Sequence, residues 1–319
     1  MPYYKILNTL ILKGCEEAVK EFEGIGEMDT VPQDYNKVFN VIDQYDAYLA
    51  SLPVRIDSNM ISKASKLKVI GTPSTGTDHL DLLAIDKAGI KVFDISKEYA
   101  LINSFTATAE LAFALILDLN RKTYQARDSV LKGTWPREVF SGFQLSEKRL
   151  GILGLGRLGK ISAKIGLGFN MRVIACDPNV SQYPGVDMVD FNTLMESSDI
   201  LTVHIHLNEK TKKIINYNAI NKMKNNAILI NTSRGGLIDE EALLEALKSG
   251  KIKGAGLDVI DGEWMSNISN HPLVDYAKNN ENIIILPHIG GATKESILGA
   301  RIFILNKVAN YLENLNYDS

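Results

Sequence analysis

Short apolar runs alternate with helical patterns along the whole chain. In the first hundred residues Tyr4–Leu10, Ala47–Leu49, Leu67–Ile70 and Ile90–Phe93 predict strands. Glu16–Phe22, Ser58–Ser65 and Leu80–Ala88 predict helices between them. Strands that are apolar throughout suit a parallel sheet covered on both faces, and the alternation predicts an α/β unit. Asp94–Phe105 has mixed polarity and no clear period, which marks a crossing between domains. A helix over Thr106–Asn120 follows. Further strands are predicted at Arg149–Leu153, Met171–Cys176, Ile200–Ile205, Ala227–Asn231, Lys253–Val259 and Asn282–Leu286, with a helix at Glu240–Ser249. In Thr293–Leu312, Ile297, Ala300, Ile304 and Val308 recur at helical spacing, and this helix is long enough to return to the first domain. The expectation is one α/β domain from residues 1–101 and 292–319, with 102–291 inserted as a second.

Ala107–Leu117 is the most apolar stretch, but Glu110 interrupts it and Asp118 ends it. It reads as too short and too charged to span a bilayer, and as a helix buried between domains or subunits. The chain of 319 residues carries a net charge of −3, which gives no electrostatic footprint for nucleic acid or an anionic membrane. Cys15 and Cys176 stand in no metal or redox spacing, no acid or histidine cluster has ligand spacing, and no leader is legible. A reduced, cytoplasmic protein without a metal is expected.

One motif changes the picture. Arg149–Leu153 runs into Gly154-Leu155-Gly156-Arg157-Leu158-Gly159, and the next strand delivers Asp177. Gly154 permits the turn, Gly156 lets a pyrophosphate approach the backbone, and Gly159 lets the next helix pack on the strand. That helix is expected to turn Leu158, Ile161 and Ile165 to one face and to stop at Gly168. N–H groups at its start, including those of Arg157 and Leu158, would hold phosphates. The Asp177 carboxylate suits two ribose hydroxyls and repels a 2′-phosphate. Pro178 and Asn179 follow it, not an arginine, so NAD is favoured over NADP.

Three stretches end strands of the same half: Asn231-Thr232-Ser233-Arg234-Gly235-Gly236, Gly254-Ala255-Gly256-Leu257-Asp258-Val259 followed by Glu263, and Pro287-His288-Ile289-Gly290-Gly291. Carboxyl ends of strands form the ligand crevice of open α/β sheets, so an arginine, a glutamate and a histidine there make an acid–base site. Together with the glycine turn, Gly71–Asp81 and Ala109-Glu110-Leu111, these stretches resemble the D-isomer-specific 2-hydroxyacid dehydrogenase family over essentially the whole chain. The resemblance implies two Rossmann-like domains with parallel sheets: a flavodoxin-like substrate domain and an inserted NAD-binding Rossmann domain. It implies that His288 is the general acid and base, that Glu263 orients its ring, and that Arg234 binds the substrate carboxylate. It also implies that backbone N–H groups of Ser74, Thr75 and Gly76 hold that carboxylate, and that Thr108, Thr232 and Asp258 lie at the nicotinamide end. By the same resemblance His79 and His271 are structural, His204 packs near the cofactor, and a homodimer joins through the nucleotide domain. The chain departs from the pattern at Trp264, where the family has proline, in the unusual loop Met265–Asn270, and at His206, again in place of proline.

The implied reaction interconverts a 2-keto acid and a D-2-hydroxy acid. Leu49-Ala50-Ser51 lacks the arginine that phosphoglycerate dehydrogenases place there, so a phosphorylated substrate is not assigned. Glyoxylate, hydroxypyruvate, pyruvate and bulkier keto acids stay open. The alternative is a NADH-sensing corepressor on the same fold, which long tails or docking extensions would favour.

Overall fold

A computed structural model describes residues 3–264 and 267–317, so Met265 and Ser266 of the unusual loop lie outside the described residues. The chain forms two compact units, residues 1–105 with 293–319 and residues 106–292.

The first unit holds five parallel strands, β1 (Tyr4–Asn8), β2 (Gly26–Thr30), β3 (Ala47–Leu49), β4 (Val69–Gly71) and β5 (Lys91–Phe93), in the order β2-β1-β3-β4-β5. This is the doubly wound order of flavodoxin-like sheets. β2 was not legible: its sequence, Gly-Glu-Met-Asp-Thr, is half-buried to exposed at the sheet edge, so it needs no apolar run. The closing helix, Lys294–Tyr317, covers one face with Ala300, Ile304, Leu305, Val308 and Leu312 against Ile6, Leu49 and Val69. It lies close over β4 because Gly71 has no side chain; a Cβ there would stand 2.6 Å from the Val308 side chain. Val38, Ile42, Met60, Ile61 and Ile85 fill the other face.

The second unit holds seven parallel strands: β6 (Arg149–Leu153), β7 (Arg172–Cys176), β8 (Val186–Met188), β9 (Ile200–Val203), β10 (Ala227–Asn231), β11 (Ile252–Leu257) and β12 (Ile283–Ile285). Their order is β12-β11-β10-β9-β6-β7-β8, a Rossmann sheet with one added strand. Succession reverses between β6 and β9, where a ligand crevice is expected. β8 was also missed, and it too is a short edge strand.

The helix Ala107–Arg121 packs its own sheet rather than being buried all round. Ala112, Phe113, Leu115, Ile116 and Leu119 meet Leu150, Ile152, Ile228 and Ile230, while Glu110 and Ala114 are exposed. The helical run around it, Tyr99–Arg121, is 23 residues and passes the length and composition of a membrane span. It exceeds the predicted helix because Tyr99–Ile102, in a stretch of mixed polarity without a clear period, is also helical.

Candidate active site

Each glycine of the turn has its own physical reason. Gly154 has φ +93°, and a Cβ there would stand 2.6 Å from the His204 carbonyl oxygen. A Cβ at Gly159 would overlap the Gly154 carbonyl oxygen, so the helix can approach β6 only without one. Gly156 has nothing within 4 Å of its Cβ position: the space is open on the side a ligand needs. The helix runs from Arg157 to Gly168, and no side chain caps its start at Gly156. Its buried residues are Gly159, Ser162, Ala163 and Gly166, while Leu158, Ile161 and Ile165 are half-buried, with Ile165 packed against the core. The close approach that Gly159 permits selects the small face. Burial lowers the pKa of the Arg157 guanidinium at the helix start.

Asp177 is tied to this turn. Its Oδ2 accepts the Leu155 N–H at 2.7 Å and its Oδ1 accepts the Asn179 N–H at 2.8 Å. Each oxygen keeps lone-pair capacity for a hydroxyl. Thr232, at the end of β10, is 6% exposed, and its buried Oγ1 has no hydrogen-bond partner among the described residues. The open Gly156, the paired Asp177 and this orphaned hydroxyl fit a dinucleotide laid across the strand ends.

The three residues expected to form the acid–base site follow three adjacent strands. Asn231 of β10 pairs in register with Leu257 of β11, which pairs with Ile285 of β12. Arg234, Glu263 and His288 follow these ends. Asn231 shapes the first turn, donating from Nδ2 to the Arg234 carbonyl (2.9 Å) and accepting the Ser233 N–H at Oδ1 (3.0 Å). Arg234 is half-buried, and its Nη1 donates to the Ser233 carbonyl at 2.8 Å. A Cβ at Gly235 would overlap the backbone of Ile260 and Asp261, so the arginine turn lies directly against the loop that leads to Glu263.

Glu263 Oε1 and His288 Nδ1 are 2.7 Å apart, with the two side chains 17% and 16% exposed. A carboxylate at Nδ1 matches the tautomer that carries its hydrogen on that nitrogen. His288 itself has φ +55°, in the left-handed region. Asp258 holds it there. The Asp258 carbonyl accepts the His288 N–H at 2.9 Å, and its Oδ1 and Oδ2 accept the Ile289 and Gly290 N–H groups, both at 2.7 Å. Asp258 is 1% exposed, and burial raises its carboxyl above the usual range against the pull of those two donors. Its carboxylate therefore clamps the histidine corner, a role no local signal in the sequence showed. Thr108 stands beside this corner, its methyl 3.1 Å from a Cβ built at Gly290.

Ser74, Thr75 and Gly76 belong to the first unit, in the turn after β4. The Gly76 N–H is engaged by Ser74 Oγ at 3.2 Å, while Thr75 is exposed. His79 is buried in the same unit, with Nε2 3.3 Å from Thr72 Oγ1. His204 Nε2 meets Ser162 Oγ at 2.9 Å and Thr202 Oγ1 at 3.0 Å, and burial pushes its pKa down to about 4. His206 is exposed. His271 caps the helix Pro272–Ala277 through Nδ1 and sets Nε2 3.1 Å from Glu240 Oε2, whose carboxyl burial raises. Glu240 also accepts the Asp261 N–H at 2.8 Å, which anchors the start of the Glu263 loop. Among the described residues no group of three His, Cys, Asp or Glu gathers as metal ligands.

Residues 113–290 match the family described as D-isomer specific 2-hydroxyacid dehydrogenase, NAD binding domain. The chain is 37% identical over 278 residues to a D-3-phosphoglycerate dehydrogenase of Archaeoglobus fulgidus, covering 86% of this chain and 51% of that protein. It is 34% identical over 274 residues to a hydroxypyruvate reductase of Thermotoga maritima, covering 86% of this chain and 87% of that one. It thus spans about half the length of the phosphoglycerate dehydrogenase but most of the reductase. Among solved structures, a D-lactate dehydrogenase from Aquifex aeolicus complexed with NAD and lactic acid superposes with a TM-score of 0.82 at 26% identity, covering 97% of this chain and 96% of that one.

Proposed function

The chain belongs to the D-isomer-specific 2-hydroxyacid dehydrogenase family and carries its NAD-binding domain, and from that premise we propose that it interconverts a 2-keto acid and a D-2-hydroxy acid. The observation that carries this reading is the 2.7 Å pair of Glu263 and His288 at the same sheet end as Arg234 and the glycine cradle. NADH, when bound, supplies the hydride for the carbonyl carbon. His288 Nε2 holds the proton that passes to the carbonyl oxygen in reduction, and it takes the hydroxyl proton in oxidation. Glu263 keeps Nδ1 protonated and stabilises the imidazolium. Arg234 presents a planar guanidinium that matches a carboxylate in bidentate fashion. Gly154, Gly156, Gly159 and the helix start at Arg157 and Leu158 would receive the pyrophosphate, and Asp177 the adenosine ribose, which selects NAD over NADP.

The test is NADH oxidation against a panel of 2-keto acids, with glyoxylate, hydroxypyruvate, pyruvate and a branched keto acid as probes. Turnover of at least one is expected, and turnover of none overturns the reading. Arg234→Ala should lower kcat/KM roughly 10²-fold or more, the scale of a lost charged contact to the transition state; near-normal kinetics would remove Arg234 from the site.

We also propose a cytoplasmic homodimer joined through the second unit. The helix Thr123–Leu131 buries no residue, and Tyr124, Leu131 and Trp135 are 63%, 67% and 81% exposed. Light scattering should give twice the chain mass, and a monomeric mass contradicts it. Both cysteines are free thiols, which suits a reducing compartment; recovery outside the cytoplasmic fraction would contradict that placement.

A further inference from the structure

Glu263 fixes only one atom of the His288 ring. The terminal torsion of histidine has broad wells, and the Glu263 side chain can follow the ring, so the plane of the imidazole can tilt and redirect Nε2 while the pair stays within hydrogen-bond reach. A second restraint is present in the structure. The indole of Trp264 stacks on the imidazole, with ring centroids 5.7 Å apart and planes 26° from parallel. Trp264 directly follows Glu263, so one short segment delivers both the carboxylate edge and the aromatic face. Among the described residues, the carboxylates that bear on the ring include Glu263 at Nδ1 and Asp258, which holds the backbone of the corner. Trp264 is 49% exposed, more than packing alone would leave a tryptophan of a hydrophobic core.

We propose that Trp264 is a positioning residue: by stacking on His288 it fixes the plane of the imidazole and so the direction in which Nε2 presents its proton. This rests on the reading of His288 as the acid and base, and the tests separate the two. The chain has two tryptophans, so Trp135→Phe leaves Trp264 as the sole indole emitter. In that background His288→Gln should change Trp264 emission, because an adjacent imidazole quenches indole; an unchanged spectrum overturns the stack whether or not any keto acid is turned over. In protein labelled at its five histidines, the His288 ring resonance is identified by its loss in His288→Gln. It should broaden or split in Trp264→Ala and stay sharp in Trp264→Phe, and an unchanged line overturns the positioning role. With a turned-over substrate, Trp264→Ala should lower kcat by about 3- to 10-fold, the scale of one aromatic pair. KM should change less than kcat, and Trp264→Phe should restore most of the rate. A rise in KM alone, or failure of phenylalanine to rescue, contradicts the proposal.

Discussion

Two turns at the carboxyl end of the seven-stranded sheet enter the left-handed region by opposite means. After β6 the residue is Gly154, at φ +93°, where a side chain would collide with the His204 carbonyl. After β12 it is His288, at φ +55°, where the side chain is the point of the turn. A non-glycine residue held in this region costs roughly 1–3 kcal/mol and persists only where its surroundings over-determine it. Three hydrogen bonds to Asp258 do so here. The glycine turn is thus built from what residues lack, and the His288 corner from what a distant residue supplies. Backbone shape is encoded locally; the aim of a reactive side chain is not.

That contrast can be broken at either end. The largest effect is expected from Gly159→Ala, whose methyl would overlap the Gly154 carbonyl and push the helix off β6. Overpacking of this kind costs about 1–3 kcal/mol in stability. NADH affinity, read by fluorescence titration, should fall by roughly 10²-fold or more, as the cradle loses its phosphate contacts. Wild-type affinity would show that the helix start does not hold the cofactor. Asp258→Ala should break the other corner. It strips the acceptor from two N–H groups at about 1–3 kcal/mol each, so Tm and kcat should both fall while NADH affinity holds within a few-fold. A normal kcat in this variant would separate the clamp from the chemistry.

A smaller effect should appear with pH. His204 is held at about 4 against an ordinary 6.5. The unfolded chain therefore binds a proton that the native state refuses between those values, and stability falls as the pH drops from 6.5 towards 4. Denaturant unfolding should lose up to ~3 kcal/mol more in the wild type than in His204→Gln over that window, on the scale of 1.36 kcal/mol per pKa unit. Equal slopes would place the histidine in a wetter site. The smallest change should come from Asp177→Ala. It should cut the preference for NAD over NADP by about 10-fold, one charge-assisted hydrogen-bond set, and an unmoved ratio would refute its ribose role.

What could be read from the sequence follows the same division. Gly154, Gly156 and Gly159 were legible because a turn, an open approach and a close helix each demand glycine. The central strands were legible because parallel strands covered on both faces are apolar throughout. β2 and β8 escaped because edge strands carry no such signal. The fully buried positions of the helix Arg157–Gly168 were not legible, because periodicity singles out large apolar residues, whereas the close approach selects Gly159, Ser162, Ala163 and Gly166. Arg234, Glu263 and His288 could be singled out by motif and resemblance, but their geometry depends on strand register between β10, β11 and β12. The resemblance set Asp258 at the nicotinamide end, but its hold on the histidine corner was not visible. Its partners Ile289 and Gly290 lie 31 and 32 positions away, and no local pattern links them.

The central claim is that His288 moves the proton and does not build the cofactor site. The most direct measurement is His288→Gln, assayed for NADH binding and for reduction of whichever 2-keto acid the wild type accepts. NADH affinity close to wild type, with turnover lost by roughly 10²-fold or more, is the predicted result on the scale of general acid catalysis. Turnover retained at the wild-type rate would contradict the account and assign the proton to another group.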